Sequence, residues 1–148
     1  MSPIVPEGRT LVTGHAVGSA IVLARPLSFW GGLDPGTGEL IDTHHPQLGA
    51  NIAGCILVMP TGRGSSSSSY VLAEAIRAGT APAGIILREP DGIVALGAIV
   101  ARELYGTRTP VIVLDADAYD TLDDDALGSS AIIEVDARDD GATVRLAG

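Results

Sequence analysis

Ile52-Ala53-Gly54-Cys55-Ile56-Leu57-Val58-Met59-Pro60-Thr61-Gly62-Arg63-Gly64-Ser65-Ser66-Ser67-Ser68-Ser69-Tyr70 is the stretch on which the reading of this chain turns. Residues 52–59 are apolar or small and predict a buried strand. Residues 70–78 predict a helix, with Leu72, Ala75, Ile76 and Gly79 at the apolar spacing and the stop. Between them lies a glycine loop that opens a helix. Gly62 and Gly64 let the backbone approach a ligand closely. Successive N–H groups and hydroxyls at a helix start suit an anion. Arg63 adds a planar fork that matches a carboxylate or a phosphate. The competing reading makes the five serines a flexible linker. It is disfavoured because linkers rarely sit between a buried strand and a helix in a short domain.

Around this loop the chain reads as one domain over residues 1–148, large enough for a real core. Hydrophobic residues make up 46%, charged residues 18% and aromatics 3%, so the core is aliphatic. The formal charge is −9, and all nine basic residues are arginine. That balance argues against nucleic acid and against an anionic membrane surface. Without lysine, the chain supplies no Schiff base. Its single cysteine, Cys55, is placed in the apolar strand as a buried thiol. One thiol makes neither an internal disulfide nor an iron–sulfur ligand set. Residues 1–10 carry no apolar core of a signal peptide, and no apolar stretch is long enough to span a bilayer. A cytoplasmic protein is expected.

Before the loop, residues 1–9 read as a lead, and residues 10–24 as one or two strands bent around Gly14 and Gly18. Asp34 to Gly38 is a turn, and residues 40–43 a short strand. After the loop come a strand at residues 84–87 and a helix from Asp91, its N-cap, to about Tyr105. Ile93, Leu96, Val100 and Leu104 are its expected buried face. A strand at residues 111–114 and an acidic loop or short helix at residues 115–125 follow. The chain closes with two strands, residues 131–136 and 142–146, joined by the turn Asp139-Asp140-Gly141. With so few helices, a compact β/β/α arrangement fits better than a doubly wound sheet.

Several familiar sites are excluded. The glycine loop has no Walker lysine, lacks the third glycine of a dinucleotide fingerprint, and is not Gly-x-Ser-x-Gly. His44 and His45 are adjacent and read as loop residues rather than a metal pair. The aspartates between residues 115 and 125 lack calcium-loop spacing and read as a solvated face. Ser28-Phe29-Trp30-Gly31-Gly32 holds the only Phe and the only Trp. It serves either as an aromatic plug on the core or as a wall of a ligand site.

Taken in order, Pro26-Leu27-Ser28-Phe29-Trp30-Gly31-Gly32, Asp34-Pro35-Gly36-Thr37-Gly38, His45-Pro46, Gly62-Arg63-Gly64-Ser65-Ser66-Ser67-Ser68, Ala81-Pro82, and Asp91 through Gly97 to Ala101 resemble the small subunit, or swivel domain, of the aconitase X family. The resemblance runs from about Gly14 to Pro110. It implies a single swivelling β/β/α domain of the α/β class and a hydro-lyase that works only with a large subunit. It implies iron or an iron–sulfur cluster in that large subunit, with no metal and no cofactor held by this chain. It implies dehydration of a small carboxylate, with cis-3-hydroxy-L-proline expected and mevalonate 5-phosphate as the alternative. The family's proton-transferring serine maps onto Ser65. Arg63, Gly64, Ser66, Ser67 and Ser28 are then the expected substrate contacts. A hydroxyl becomes a usable base only as a stabilised alkoxide, which a helix N-terminus and a nearby arginine favour. A reading of another class stays open: a non-catalytic anion-binding domain that regulates or scaffolds a partner.

Overall fold

The computed structural model describes residues 3–63, 66–122 and 131–147. Gly64 and Ser65 lie outside the described residues, as do positions 123–130 of the acidic segment. The elements in chain order are β1 (Pro3–Val12), β2 (Gly14–Val22), the helical turn α1 (Phe29–Gly32), β3 (Ile56–Met59), α2 (Ser67–Ala78), β4 (Gly84–Leu87), α3 (Gly92–Tyr105), β5 (Val111–Val113), α4 (Ala116–Asp120), β6 (Ile132–Arg138) and β7 (Gly141–Leu146).

The strands close into a barrel in the order β1-β5-β4-β3-β2-β6-β7. Strands β2, β3, β4 and β5 run parallel to one another. The β1, β6 and β7 pairings are antiparallel and complete the wall. Strands covered on both faces read as continuous apolar runs, and β3, β4 and β5 are buried at every position. Their side chains alternate between two cores, as the period of two demands. Ile56, Val58, Ile86 and Ile112 fill the barrel with Val135 and Val144. Leu57, Met59, Ile85, Leu87 and Val111 face outward against Leu72, Ile76, Val94 and Ala98 of α2 and α3.

Several expectations are corrected by this packing. Residues 1–9 are not a lead: β1 begins at Pro3. Pro3 and Pro6 have no N–H to give a ladder, and β1 accommodates them by register shifts between Pro3 and Val5 and between Val5 and Gly8. Strand β3 starts at Ile56, because residues 53–55 form a turn. Cys55 therefore precedes the strand and is only half-buried, its thiol pushed up from the usual range by burial. Residues 40–43 form no strand; Leu40 makes an isolated bridge to Leu33 and Glu39 one to Asn51. Helix α2 begins at Ser67, so three of the serines are helical.

The largest correction concerns α3. Its buried residues are Val94, Gly97, Ala98 and Ala101, while Leu96 is 49% and Leu104 67% exposed. The helix is apolar nearly all round, so periodicity offers two faces. Packing takes the one with small residues, which lets α2 approach. A Cβ added at Gly97 would stand 2.9 Å from the Ser69 carbonyl oxygen and 3.0 Å from Leu72 Cδ2.

Candidate functional site

Parallel strands place the loops that follow them at one end of the sheet, where α/β folds hold their ligands. Here that end carries the loop from β3 to α2, the Arg88–Asp91 turn after β4 and the segment after β2. We call it the upper rim.

Thr61 to Arg63 is held from two sides. Toward β2, Gly62 bridges Leu27, and the Arg63 N–H donates to the Leu27 carbonyl at 3.1 Å. Toward α3, Asp91 Oδ1 accepts the N–H groups of Ile93 (2.9 Å) and Val94 (3.1 Å), as an N-cap does. The Thr61 hydroxyl donates to the other carboxylate oxygen at 3.4 Å. Gly62 has to be glycine for space: a Cβ there would meet Asp91 Oδ2 and Val94 Cγ2, each at 2.6 Å.

The serines divide by burial. Ser68 and Ser69 are 2% and 7% exposed. The Ser69 hydroxyl donates to the Ile93 carbonyl at 2.6 Å and ties α2 to the start of α3. Ser66 and Ser67 are exposed at the helix start. Ser66 has helical φ/ψ and no side-chain cap, and its carbonyl accepts the Ser69 N–H at 3.1 Å.

Ser68 also carries the Ser28 segment. The Ser28 hydroxyl donates to the Trp30 carbonyl at 2.9 Å. Its single proton is thereby used, so in the 3.1 Å contact between the two hydroxyls Ser68 is the donor. Ser68 Oγ in turn accepts the Trp30 N–H at 3.3 Å. The closed circuit of three bonds fixes Trp30 beside the start of α2. Phe29 is buried while Trp30 stays 62% exposed. The segment is thus a plug through Phe29, while Trp30 stands exposed at the rim.

Arg63 and Ser28 are therefore brought to one place, with Ser66 and Ser67 on the same helix start. Gly64 and Ser65, which come between Arg63 and Ser66 in the sequence, lie outside the described residues. The sequence reading missed Ser68 and Ser69 as the buried anchors; two hydroxyls one helical turn past the glycines were their only signal. It also missed Arg88, whose N–H, with that of Glu89, donates to the Pro60 carbonyl at 3.0 Å.

His45 belongs to the scaffold. It is 6% exposed, its Nδ1 accepts the Gln47 N–H at 3.0 Å, and its Nε2–H then donates to the Arg25 carbonyl at 3.2 Å. Among the described residues no three His, Cys, Asp or Glu side chains gather to hold a metal. Cys55 lies at the opposite end of β3. The residues described thus do not fit an iron–sulfur cluster held by this chain.

The profile of the aconitase X swivel domain matches residues 5–144. The chain is 54% identical over 111 residues to a cis-3-hydroxy-L-proline dehydratase of Pseudomonas aeruginosa, covering 75% of this chain and 19% of that protein. It thus spans about a fifth of that relative's length. It is 40% identical over 131 residues to a phosphomevalonate dehydratase small subunit of Thermococcus sibiricus, covering 88% of this chain and 91% of that one. Its fold matches the crystal structure of holo aconitase X from Thermococcus kodakaraensis at 36% identity and a TM-score of 0.77, over 96% of this chain and 97% of that one.

Proposed function

The chain belongs to the aconitase X swivel-domain family, and from that premise we propose that it is the small part of a two-part hydro-lyase that dehydrates cis-3-hydroxy-L-proline. In this reading it is one swivelling domain, cytoplasmic, and active only when a large subunit of the aconitase X type closes over its upper rim. The observation that carries the reading is the convergence of Arg63, Ser28 and the start of α2 at that rim, on a sequence 54% identical to a hydroxyproline dehydratase.

Ser65 takes the proton from the carbon next to the substrate carboxylate, and the hydroxyl on the neighbouring carbon leaves as hydroxide. The Arg63 fork clamps the carboxylate or steadies the serine alkoxide. Gly64 lets the backbone approach, and the hydroxyls of Ser66 and Ser67 donate to the same anion. Ser28 holds the Trp30 wall through Ser68. Iron or an iron–sulfur cluster belongs to the partner, and no step assigned to this chain runs through it. Exposed Trp30 and Tyr70, at 62% and 81%, flank the loop and suit a surface covered by that partner.

A second reading, the small subunit of phosphomevalonate dehydratase, is favoured by the near full-length match to the archaeal small subunits. A third, a non-catalytic anion-binding scaffold, differs in that no residue of this chain would move a proton. Reconstitution with the large subunit separates the three. Turnover of hydroxyproline is expected; turnover of only the phosphorylated acid selects the second reading. Undiminished turnover by a Ser65→Ala complex selects the third.

A further inference from the structure

We propose that the groove between Arg9 and Arg88, on the far side of the rim from Trp30, is a binding subsite for a phosphate group. The groove has a volume of about 420 Å³ and is lined by Gly8, Arg9, Arg88, Val113, Leu114 and Asp115. That volume lies within the usual range for small-ligand sites.

Arg9 belongs to β1 and Arg88 directly follows β4, and each is fixed at its backbone. Arg9 stands opposite Val113 in the β1–β5 ladder. Arg88 leaves β4 with its N–H on the Pro60 carbonyl. Neither forms an ion pair with any described carboxylate, whereas Arg77, Arg102 and Arg138 all do. Asp115 lines the groove, but its Oδ1 accepts the Ala118 N–H at 2.8 Å and caps α4. Among the described residues, two arginines and one carboxylate line the groove, on a chain of net charge −9. The wall beside Arg9 is bare backbone, since a Cβ at Gly8 would stand 2.7 Å from Leu114 Cδ2. Two arginines lining one open groove suit an anion with several oxygens and more than one charge, which a phosphate is and a lone carboxylate is not.

The test uses the chain without partner or substrate, so a failed dehydration assay has no bearing on it. The probe is inorganic phosphate, titrated into the ¹⁵N-labelled chain at constant ionic strength with chloride as control. Saturable shifts at the Gly8, Arg9, Arg88 and Leu114 amides are expected with phosphate and not with chloride. Arg88→Gln should weaken phosphate binding about tenfold or more. Arg145→Gln, which removes an arginine of β7 outside the groove, should leave it unchanged. Arg9→Gln provides an independent variant should Arg88→Gln fail to give a folded spectrum. Linear shifts shared with chloride, or parental affinity in both groove variants, overturn the proposal.

Discussion

The two ends of the barrel treat the same residue type in opposite ways. At the lower end, Arg77 pairs with Glu74, Arg102 with Glu103, and Arg138 with Asp136 and Asp140, while Arg108 donates to the Thr13 hydroxyl. Toward the upper end, Arg9, Arg25, Arg63, Arg88 and Arg145 form no ion pair among the described residues. Exposed pairs stabilise a fold little, so the lower arginines gain mainly neutrality. Of the upper ones, Arg63 and Arg88 are held by their backbones, through the Leu27 and Pro60 carbonyls. The buried serine hydroxyls of the rim and the half-buried Cys55 thiol differ in the same sense. Ser68 and Ser69 are wired into the rim, whereas Cys55 at the lower end makes only long contacts from its sulfur, at 3.8 and 3.9 Å.

If the rim is the working end, perturbing it should cost activity, and perturbing the lower end should not. The largest effect is expected at Ser65. Ser65→Ala in the reconstituted complex should lower turnover on the order of 10²- to 10⁴-fold, with an unchanged melting temperature and no proton exchange at the substrate's α-carbon in deuterated water. Near-normal exchange would reduce the serine to a ligand contact. Gly62→Ala comes next, because its Cβ would meet the Asp91 carboxylate and Val94, both fixed by α3. A loss of about 1–3 kcal/mol in urea unfolding is expected, together with lost turnover, since the strain falls on the loop itself.

Asp91→Ala removes the cap of α3 and the Thr61 contact, and should cost about 1 kcal/mol. If the loop depends on that contact, the Michaelis constant rises as well; a pure stability loss would make Asp91 a cap only. A smaller effect, confined to alkaline pH, belongs to Tyr119. Burial first, then the charge of Asp120, push its hydroxyl up to about 12 from 10.0, with Arg88 opposing. The unfolded chain loses this proton first, so stability should fall as pH rises from about 10 to about 12 and be unaffected below. The slope cannot exceed the limiting ~1.4 kcal/mol per pH unit of a single proton. Tyr119→Phe should abolish this component of the fall when urea midpoints at pH 9 and 11 are compared. The smallest effect is expected at the lower end: Arg138→Ala should change neither melting temperature nor turnover measurably. A loss of turnover there would end the distinction between the two ends.

The sequence by itself determined most of the element order. Val, Ile and Leu runs bounded by Gly and Pro marked β3, β4 and β5, and Asp91 and Gly106 marked the ends of α3, because these signals act within a few residues of themselves. It also pointed to the glycine–serine loop as the site, since few loops combine two glycines, an arginine and a helix start. What only the tertiary structure decided rests on contacts between distant positions. Barrel closure needs β1 beside both β5 and β7, and no local pattern in a proline-bearing segment announces a pairing more than 100 residues away. The buried face of α3 was misread because Leu96 and Leu104 are as apolar as any core residue. The steric fit of Gly97 against Ser69 and Leu72, invisible to periodicity, chose the other face. Burial of Ser68 and Ser69, and the separation among the described residues of ion-paired from other arginines, follow from where strand ends meet in space, which a one-dimensional pattern of residue types does not encode.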